Sequence, residues 1–380
     1  MLYTCAHRDP HSAARTGRLR LAHGEVETPA FMPVGTNATV KAMSPEALEE
    51  LGVTLILSNA YHLYLRPGAE VIRGAGGLHS FMGWRRNILT DSGGYQIFSL
   101  SSLRRITEEG VDFRSHLDGT ALHLRPEDVV EFQALLGSDV LMPLDICTPA
   151  GIGEEEARDA VERTLRWAGR SLAAWKAGER RGQLFGIIQG NFFPQLRRQS
   201  AERTVELDFP GYAIGGLSVG ESFEVFRDLL ALTAARIPEA SPRYLMGVGT
   251  PEYILEAVEN GIDMMDCVFP TRTARNAQAF TRLGTLSLRN QANRLSAEPL
   301  DPACTCPTCR RHSRSYIRHL FKSREILAAM LTTRHNLHFL QTLMRDIRDS
   351  IREGRFASFK RSFLDAYKKG LNAGGPHAEQ

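Results

Sequence analysis

Short apolar, often β-branched runs recur along the chain, and seven of them stop on a polar or glycine position before helical sequence resumes. Val53 to Ser58 precedes Asn59, Asn87 to Thr90 precedes Asp91, and Val140 to Leu144 precedes Asp145. Leu184 to Ile188 precedes Gln189, Tyr212 to Ile214 precedes Gly215 and Gly216, Tyr244 to Met246 precedes Gly247, and Ile262 to Met265 precedes Asp266. This strand, loop, helix rhythm implies a parallel sheet covered on both faces, in which ligands gather at the carboxyl ends of the strands. With the run from Phe31 to Val34 the strands number eight over about 270 residues, the count and size of an α/β (β/α)8 TIM barrel. A doubly wound open sheet is the structural rival.

Helix signals fall in the gaps. Ser44-Pro45-Glu46 is an N-cap with proline at the first helical position, and Gly52 ends that helix; Arg125-Pro126 opens another that closes at Gly137. A longer helix starts at Gly153 and reaches Trp175, and others are expected over 194–207, 221–236 and 251–260. The stretch 281–300 reads as loop. After it the pattern predicts helices over 313–330, 335–353 and 356–369, with a frayed end from Gly370.

Composition narrows the class. The chain has 380 residues, 43% of them hydrophobic, enough for one large core and a small appendage. It has no run of about 18 apolar residues, and its start lacks the basic-then-apolar build of a signal peptide, so a cytoplasmic protein without membrane attachment is expected. The net charge of +3 is uneven: from Cys304 onward there are 15 Lys and Arg against 6 Asp and Glu. A basic tail beside a slightly acidic barrel suggests a polyanion partner, although a solvated set of amphipathic helices has the same composition.

Three of the six cysteines crowd into Cys304-Thr-Cys306-Pro-Thr-Cys309. Three soft thiolates on a tight turn suit tetrahedral zinc, which takes one more ligand from elsewhere. His335, at the start of the following helix, is preferred to His338, His312 and His319. Four protein ligands leave no open position, so one structural zinc per subunit is expected. The chain then divides into a catalytic barrel over 1–290, a zinc-binding subdomain over 291–345 attached near the last strand, and C-terminal helices over 346–380 that pack on the barrel.

Two strand ends carry acids followed by distinctive sequence, Asp91-Ser-Gly-Gly-Tyr-Gln96 and Asp266-Cys-Val-Phe-Pro-Thr-Arg272. Two carboxylates at a barrel mouth divide nucleophile and general acid/base roles at an anomeric carbon, though strand-end aspartates also cap helices. Asp145, Gln189 and the Gly215-Gly216-Leu217 backbone together offer acceptors and donors matched to the edge of a purine-like heterocycle. Tyr95 has a flat face for stacking, and Met246 is either core or the opposite side of the same sandwich.

Taken with Phe185-Gly-x-x-Gln-Gly190, Gly215-Gly-Leu-Ser-Val-Gly-Glu221, Met246-Gly-Val-Gly249 and the Cys/His knuckle, these motifs resemble the tRNA-guanine transglycosylases (queuine tRNA-ribosyltransferases), in order, from Arg8 to Lys369. The resemblance implies a pentosyltransferase that exchanges guanine at the first anticodon position of tRNAs with a GUN anticodon, those for aspartate, asparagine, histidine and tyrosine. Asp266 matches the family's nucleophile, which forms a covalent glycosyl-enzyme, and Asp91 its general acid and base. Asp145, Gln189, Gly216 and Leu217 match base-recognition positions, with Tyr95 and Met246 sandwiching the ring. Arg272 and Arg275 match positions near the anticodon neighbours. The resemblance also implies a homodimer. Val219 and Cys147 favour the bacterial substrate 7-aminomethyl-7-deazaguanine over the larger queuine, and Glu221 is expected to orient the Leu217-Ser218 peptide. Departures from the family pattern are Ile146, Ile188, Ala277 and Ser218. A retaining glycoside hydrolase and a non-catalytic tRNA-binding subunit of the same family are the alternatives; three tryptophans in helical contexts and retention of Asp91, Asp266 and Gln189 weigh against them.

Overall fold

A computed structural model describes residues 1–100, 104–179 and 181–374. Its centre is a ring of eight parallel strands: β1 (Ala30–Pro33), β2 (Leu55–Asn59), β3 (Asn87–Asp91), β4 (Val140–Leu141), β5 (Gln183–Ile188), β6 (Gly211–Ile214), β7 (Arg243–Leu245) and β8 (Met264–Cys267). Neighbours in the ring are neighbours in sequence. β8 pairs with β1, and a parallel bridge from Val34 to Leu57 joins β1 to β2, so the sheet closes into the expected (β/α)8 barrel and not an open sheet.

Closure sorts the strand residues by parity. Met32, Leu55, Leu57, Leu89, Val140, Phe185, Ile187, Ala213, Tyr244 and Met264 fill the barrel interior, while Ile56, Ile88, Leu184, Ile188, Ile214, Leu245 and Met265 face the surrounding helices. Both sets are buried, which is why the strands read as continuous apolar runs. Two residues beyond Leu89, Ile187, Ala213, Tyr244 and Met264 come Asp91, Gln189, Gly215, Met246 and Asp266. By strand alternation these form the top of the interior stack, at the carboxyl ends.

The outer helices begin where the sequence signals them. Ser44 caps Pro45–Glu50 by accepting from the Ala47 N–H at 3.2 Å, Pro126–Leu136 ends at Gly137 in the left-handed region, and Ser222 caps Phe223–Ala234. Below the barrel an antiparallel sheet of Tyr3–Arg8, Arg15–Leu21 and Gly24–Thr28 contributes Tyr3, Leu19 and Val26 to the interior core. It is held there by Asp263, just before β8, which accepts from the Tyr3 hydroxyl (2.6 Å), Arg15 Nη2 (2.6 Å) and the Arg243 N–H (2.8 Å).

Three features differ from the sequence reading. Residues 281–300 are not all loop, since Gln278–Thr281 and Gly284–Ser287 form a hairpin; a second small sheet, Arg104–Ile106, Val111–Arg114 and Ala121–Leu124, follows β3. The two helices expected over 313–330 and 335–353 are instead Arg314–Lys322 and one 27-residue helix, Ile326–Arg352, with no break at 330–335, and position 345 lies inside it. The last helix, Phe356–Gly374, runs past Gly370. The long helix ties the metal region to the barrel: it carries His335, and further along Gln341 and Arg348 donate to the Phe31 and Pro29 carbonyls at β1. Among the described residues no helix is long and apolar enough to cross a membrane.

Candidate active site and metal centre

Asp91 ends β3 directly beside Asn59 at the end of β2, the two being register partners in parallel strands. Asn59 Nδ2 donates to Asp91 Oδ2, and the Ala60 N–H donates to Oδ1 at 3.0 Å, so both oxygens are held. Burial pushes this carboxyl from its ordinary 3.8 up to about 7, against the hydrogen bonds from Asn59 and Ala60 and a smaller one from Gln96, and the nearby Asp266 charge pushes in the same direction.

Asp266, on β8, is held differently. The Tyr244 hydroxyl (2.6 Å) and the Gly247 N–H (2.9 Å) both donate to Oδ1, and among the described residues no protein donor reaches Oδ2. Burial raises this carboxyl too, opposed by those two donors. Tyr244 was not singled out from sequence, because a strand tyrosine reads as core; its ring is core, and only its hydroxyl reaches the site.

Asp145 and Gln189 form a coupled pair. Gln189 Nε2 donates to Asp145 Oδ2 at 2.7 Å and the Ser92 hydroxyl to Oδ1 at 3.3 Å, while burial lifts Asp145 to about 6. The glycines beside them are required by contact. A Cβ on Gly94 would lie 2.8 Å from Asp145 Oδ1, and one on Gly216 would lie 2.5 Å from Gln189 Oε1. The Ser218 N–H donates to Glu221, as does the Val219 N–H at 2.9 Å; the Leu217 carbonyl, on the other side of the trans Leu217-Ser218 peptide, therefore points away from Glu221. Tyr95 is 58% exposed on the short helix after Asp91, and Met246 is half-buried after β7. Arg272 and Arg275 are exposed on Phe269–Arg275, the helix that follows Asp266. Cys147 is half-buried.

Cys304, Cys306, Cys309 and His335 bring their ligand atoms within 4.8 Å of one another. Tetrahedral zinc with ordinary Zn–S and Zn–N lengths places sulfur and nitrogen about 3.5 Å apart. Here His335 Nδ1 lies 3.6, 3.6 and 3.2 Å from the three sulfurs. His335 Nε2 is 2.6 Å from the Phe280 carbonyl, which only accepts; the proton therefore sits on Nε2, and in the neutral ring the Nδ1 lone pair faces the thiolates. His338 approaches Cys304 alone. The residues fit a four-coordinate metal with no open position, and Ala277 sits beside this subdomain at φ +67°.

The tryptophans do not line the mouth. Trp84 and Trp167 are buried and donate to the Asn87 and Glu108 carbonyls, and Trp175 is half-buried near Gly182. A sugar cleft of the glycoside hydrolase kind has no aromatic platform of tryptophans here.

The queuine tRNA-ribosyltransferase family model matches residues 9–369. Among curated relatives, the queuine tRNA-ribosyltransferase of Thermoanaerobacter sp. is 54% identical over 365 residues, which is 96% of this chain and 97% of that one. Those of Pelotomaculum thermopropionicum and Treponema denticola are 53% and 50% identical, over 96% and 98% of this chain and 98% of each relative.

Proposed function

The chain belongs to the queuine tRNA-ribosyltransferase family, and on that premise we propose that it replaces guanine at the first anticodon position of GUN tRNAs with 7-aminomethyl-7-deazaguanine by double displacement. It is a pentosyltransferase acting on tRNA and a base, and the resemblance in its sequence motifs and the family assignment agree. What carries the finer reading is the contrast between the two carboxylates. Among the described residues Asp266 keeps Oδ2 without a protein donor, as an attacking group needs, whereas Asp91 has both oxygens held and a proton affinity near neutrality, as a group that gives and takes protons needs.

In the first half-reaction Asp266 Oδ2 attacks the ribose anomeric carbon, the bond to the guanine nitrogen breaks, and Asp91 supplies the proton that the departing base takes up. In the second, Asp91 removes a proton from the incoming base, whose nitrogen attacks the anomeric carbon and releases the Asp266 carboxylate. Asp145 and Gln189 would bind the edge of the base, with the Gly216 and Leu217 backbone beside them and Tyr95 and Met246 on its two faces. Glu221 would hold the Leu217 carbonyl toward the aminomethyl group. A stacked base cannot reach the top of the barrel interior, so the anticodon loop must open and turn its target out. Arg272, Arg275 and the basic region after Cys304 would meet the RNA backbone.

We assign the metal as structural zinc, one per subunit, held by Cys304, Cys306, Cys309 and His335; when bound it cross-links the knuckle to the long helix and supplies no chemistry at the base. A homodimer working in the cytoplasm completes the proposal. The test is incorporation of radiolabelled guanine into unmodified GUN tRNA by wild type and by Asp266→Asn. Label with wild type alone is the expected result. Label with both would remove Asp266 as nucleophile, and tRNA binding without label in either would indicate a non-catalytic subunit.

A further inference from the structure

Arg197 lies on the helix Pro194–Glu206, outside the barrel, and is fully buried, yet among the described residues no carboxylate pairs with it. Its guanidinium donates instead to three backbone carbonyls: Nε to Asn191 (2.9 Å), Nη1 to Gly215 (2.7 Å) and Nη2 to Gly216 (2.7 Å). A buried cation satisfied only by peptide oxygens is an uncommon arrangement, since burial disfavours the charge, and here it pulls the guanidinium down to about 10.

The consequence for the loop follows from peptide geometry. The Gly215-Gly216 and Gly216-Leu217 peptides are trans, so each N–H points opposite to the carbonyl of its own peptide unit. With both carbonyls turned outward to Arg197, the Gly216 and Leu217 N–H groups turn together toward the barrel mouth. Successive amides face one way where the residue between them has a helical conformation of either hand, and Gly216 takes the left-handed one at φ +64°, which glycine adopts without strain. Among the described residues neither N–H has an acceptor in the protein.

We propose that Arg197 is a positioning residue that aims and polarises the Gly216 and Leu217 N–H groups as a donor pair for the exocyclic oxygen of the bound base. A charged donor on a peptide carbonyl strengthens the N–H of the same peptide, so the pair favours an oxygen that gains negative charge as the glycosidic bond breaks. Bases carrying that oxygen are therefore selected over bases lacking it. This rests on the base-exchange reading above.

The experiment compares guanine with 2-aminopurine, which lacks the oxygen and is fluorescent. 2-Aminopurine is titrated directly, and guanine by its displacement, on wild type, Arg197→Lys and Arg197→Gln, alongside the KM for tRNA. Loss of a charge-assisted contact predicts guanine binding weakened about 10- to 100-fold, with 2-aminopurine binding and the tRNA KM changed by less than about threefold. Equal weakening of both bases would make Arg197 a support of the pocket in general and overturn the proposal, as would no change in either. Failure of wild type to place labelled guanine in tRNA would instead remove the base-exchange reading, so the two failures are separate. If neither variant folds, amide exchange in wild type decides: protection of Gly216 and Leu217 by guanine but not by 2-aminopurine supports the proposal, and protection by both or neither overturns it.

Discussion

Replacing Asp91 with asparagine should abolish exchange and stabilise the fold. The native carboxyl sits near 7 and an unstructured aspartate near 3.8. Because the native value is the higher one, the folded state holds a proton that the unfolded chain releases. The resulting penalty is absent below about pH 3.8, grows as pH rises, and is complete above about pH 7. At about 1.4 kcal/mol for each tenfold change in proton affinity it reaches about 4 kcal/mol at pH 8 and stays below about 2 kcal/mol at pH 5. Asparagine is neutral at every pH and removes this term. Its carbonyl still accepts from the Ala60 N–H, and the Asn59 amide can turn its oxygen toward the new NH2 group, leaving about 3 kcal/mol net at pH 8. For 380 residues an unfolding entropy of about 2.1 cal/mol/K per residue totals about 800 cal/mol/K, so Tm should rise by about 4 °C. Paired thermal melts of wild type and Asp91→Asn at pH 8 and pH 5, zinc-saturated, read the difference while effects common to both proteins cancel. Guanine exchange should fall by about 10²- to 10⁴-fold. A lower Tm at pH 8, or a gain of equal size at both pH values, would refute the argument that burial of a charge dominates this site.

Tyr244→Phe removes one of the two donors to Asp266 Oδ1, so the carboxyl should rise further and the acid limb of kcat should move to higher pH, with kcat lowered about tenfold and the tRNA KM unchanged; a pH-rate profile checks this. Cys309→Ser should lose the metal, measured by elemental analysis, and loosen the long helix around His335, which sits 3.2 Å from the Cys309 sulfur. Full metal content in that variant would contradict the four-ligand assignment. Arg272→Ala and Arg275→Ala should each raise the tRNA KM and flatten the salt dependence of tRNA affinity by about one phosphate contact, with base affinity unchanged.

The barrel was legible because its strands bury both faces and end on polar residues. That pattern survives in one dimension, and the strand parity that stacks Asp91, Gln189 and Asp266 on one interior face follows from it. The Cys/His cluster was legible for a similar reason, since three of its members lie within six residues and the fourth is a histidine on the next long helix. The parts that escaped depend on spacing that sequence does not carry. The small sheet over 104–124 and the hairpin over 278–287 are built from strands of three or four residues, too brief for a strand pattern to stand out from loop. The break expected between 330 and 335 goes with placing His335 at a helix start; it lies mid-helix, and its Nε2 anchors on the Phe280 carbonyl of that same hairpin. Arg197 gave no signal at all, being one of two adjacent arginines on an amphipathic helix.

The three acids at the mouth share the same burial and differ in what donates to them. Asp91 receives one neutral donor on each oxygen, Asp145 is anchored by an amide and a hydroxyl, and Asp266 has two donors crowded on a single oxygen. Burial lifts all three, opposed at each by its own donors, and Asp91 is raised further by the Asp266 charge. A nucleophile needs an unencumbered oxygen more than it needs a particular proton affinity, whereas a proton shuttle needs the affinity and tolerates being held. Under the roles proposed, placing both Asp266 donors on Oδ1 meets the first need, and meeting Asp91 with neutral donors meets the second. Three residues before Asp266, just ahead of β8, stands the Asp263 that accepts from Arg15 and Tyr3. One end of β8 is thus fixed by a buried ion pair, and near the other Asp266 keeps one oxygen that no donor among the described residues reaches. Fixing the strand from below lets the oxygen proposed to attack be positioned without a donor of its own.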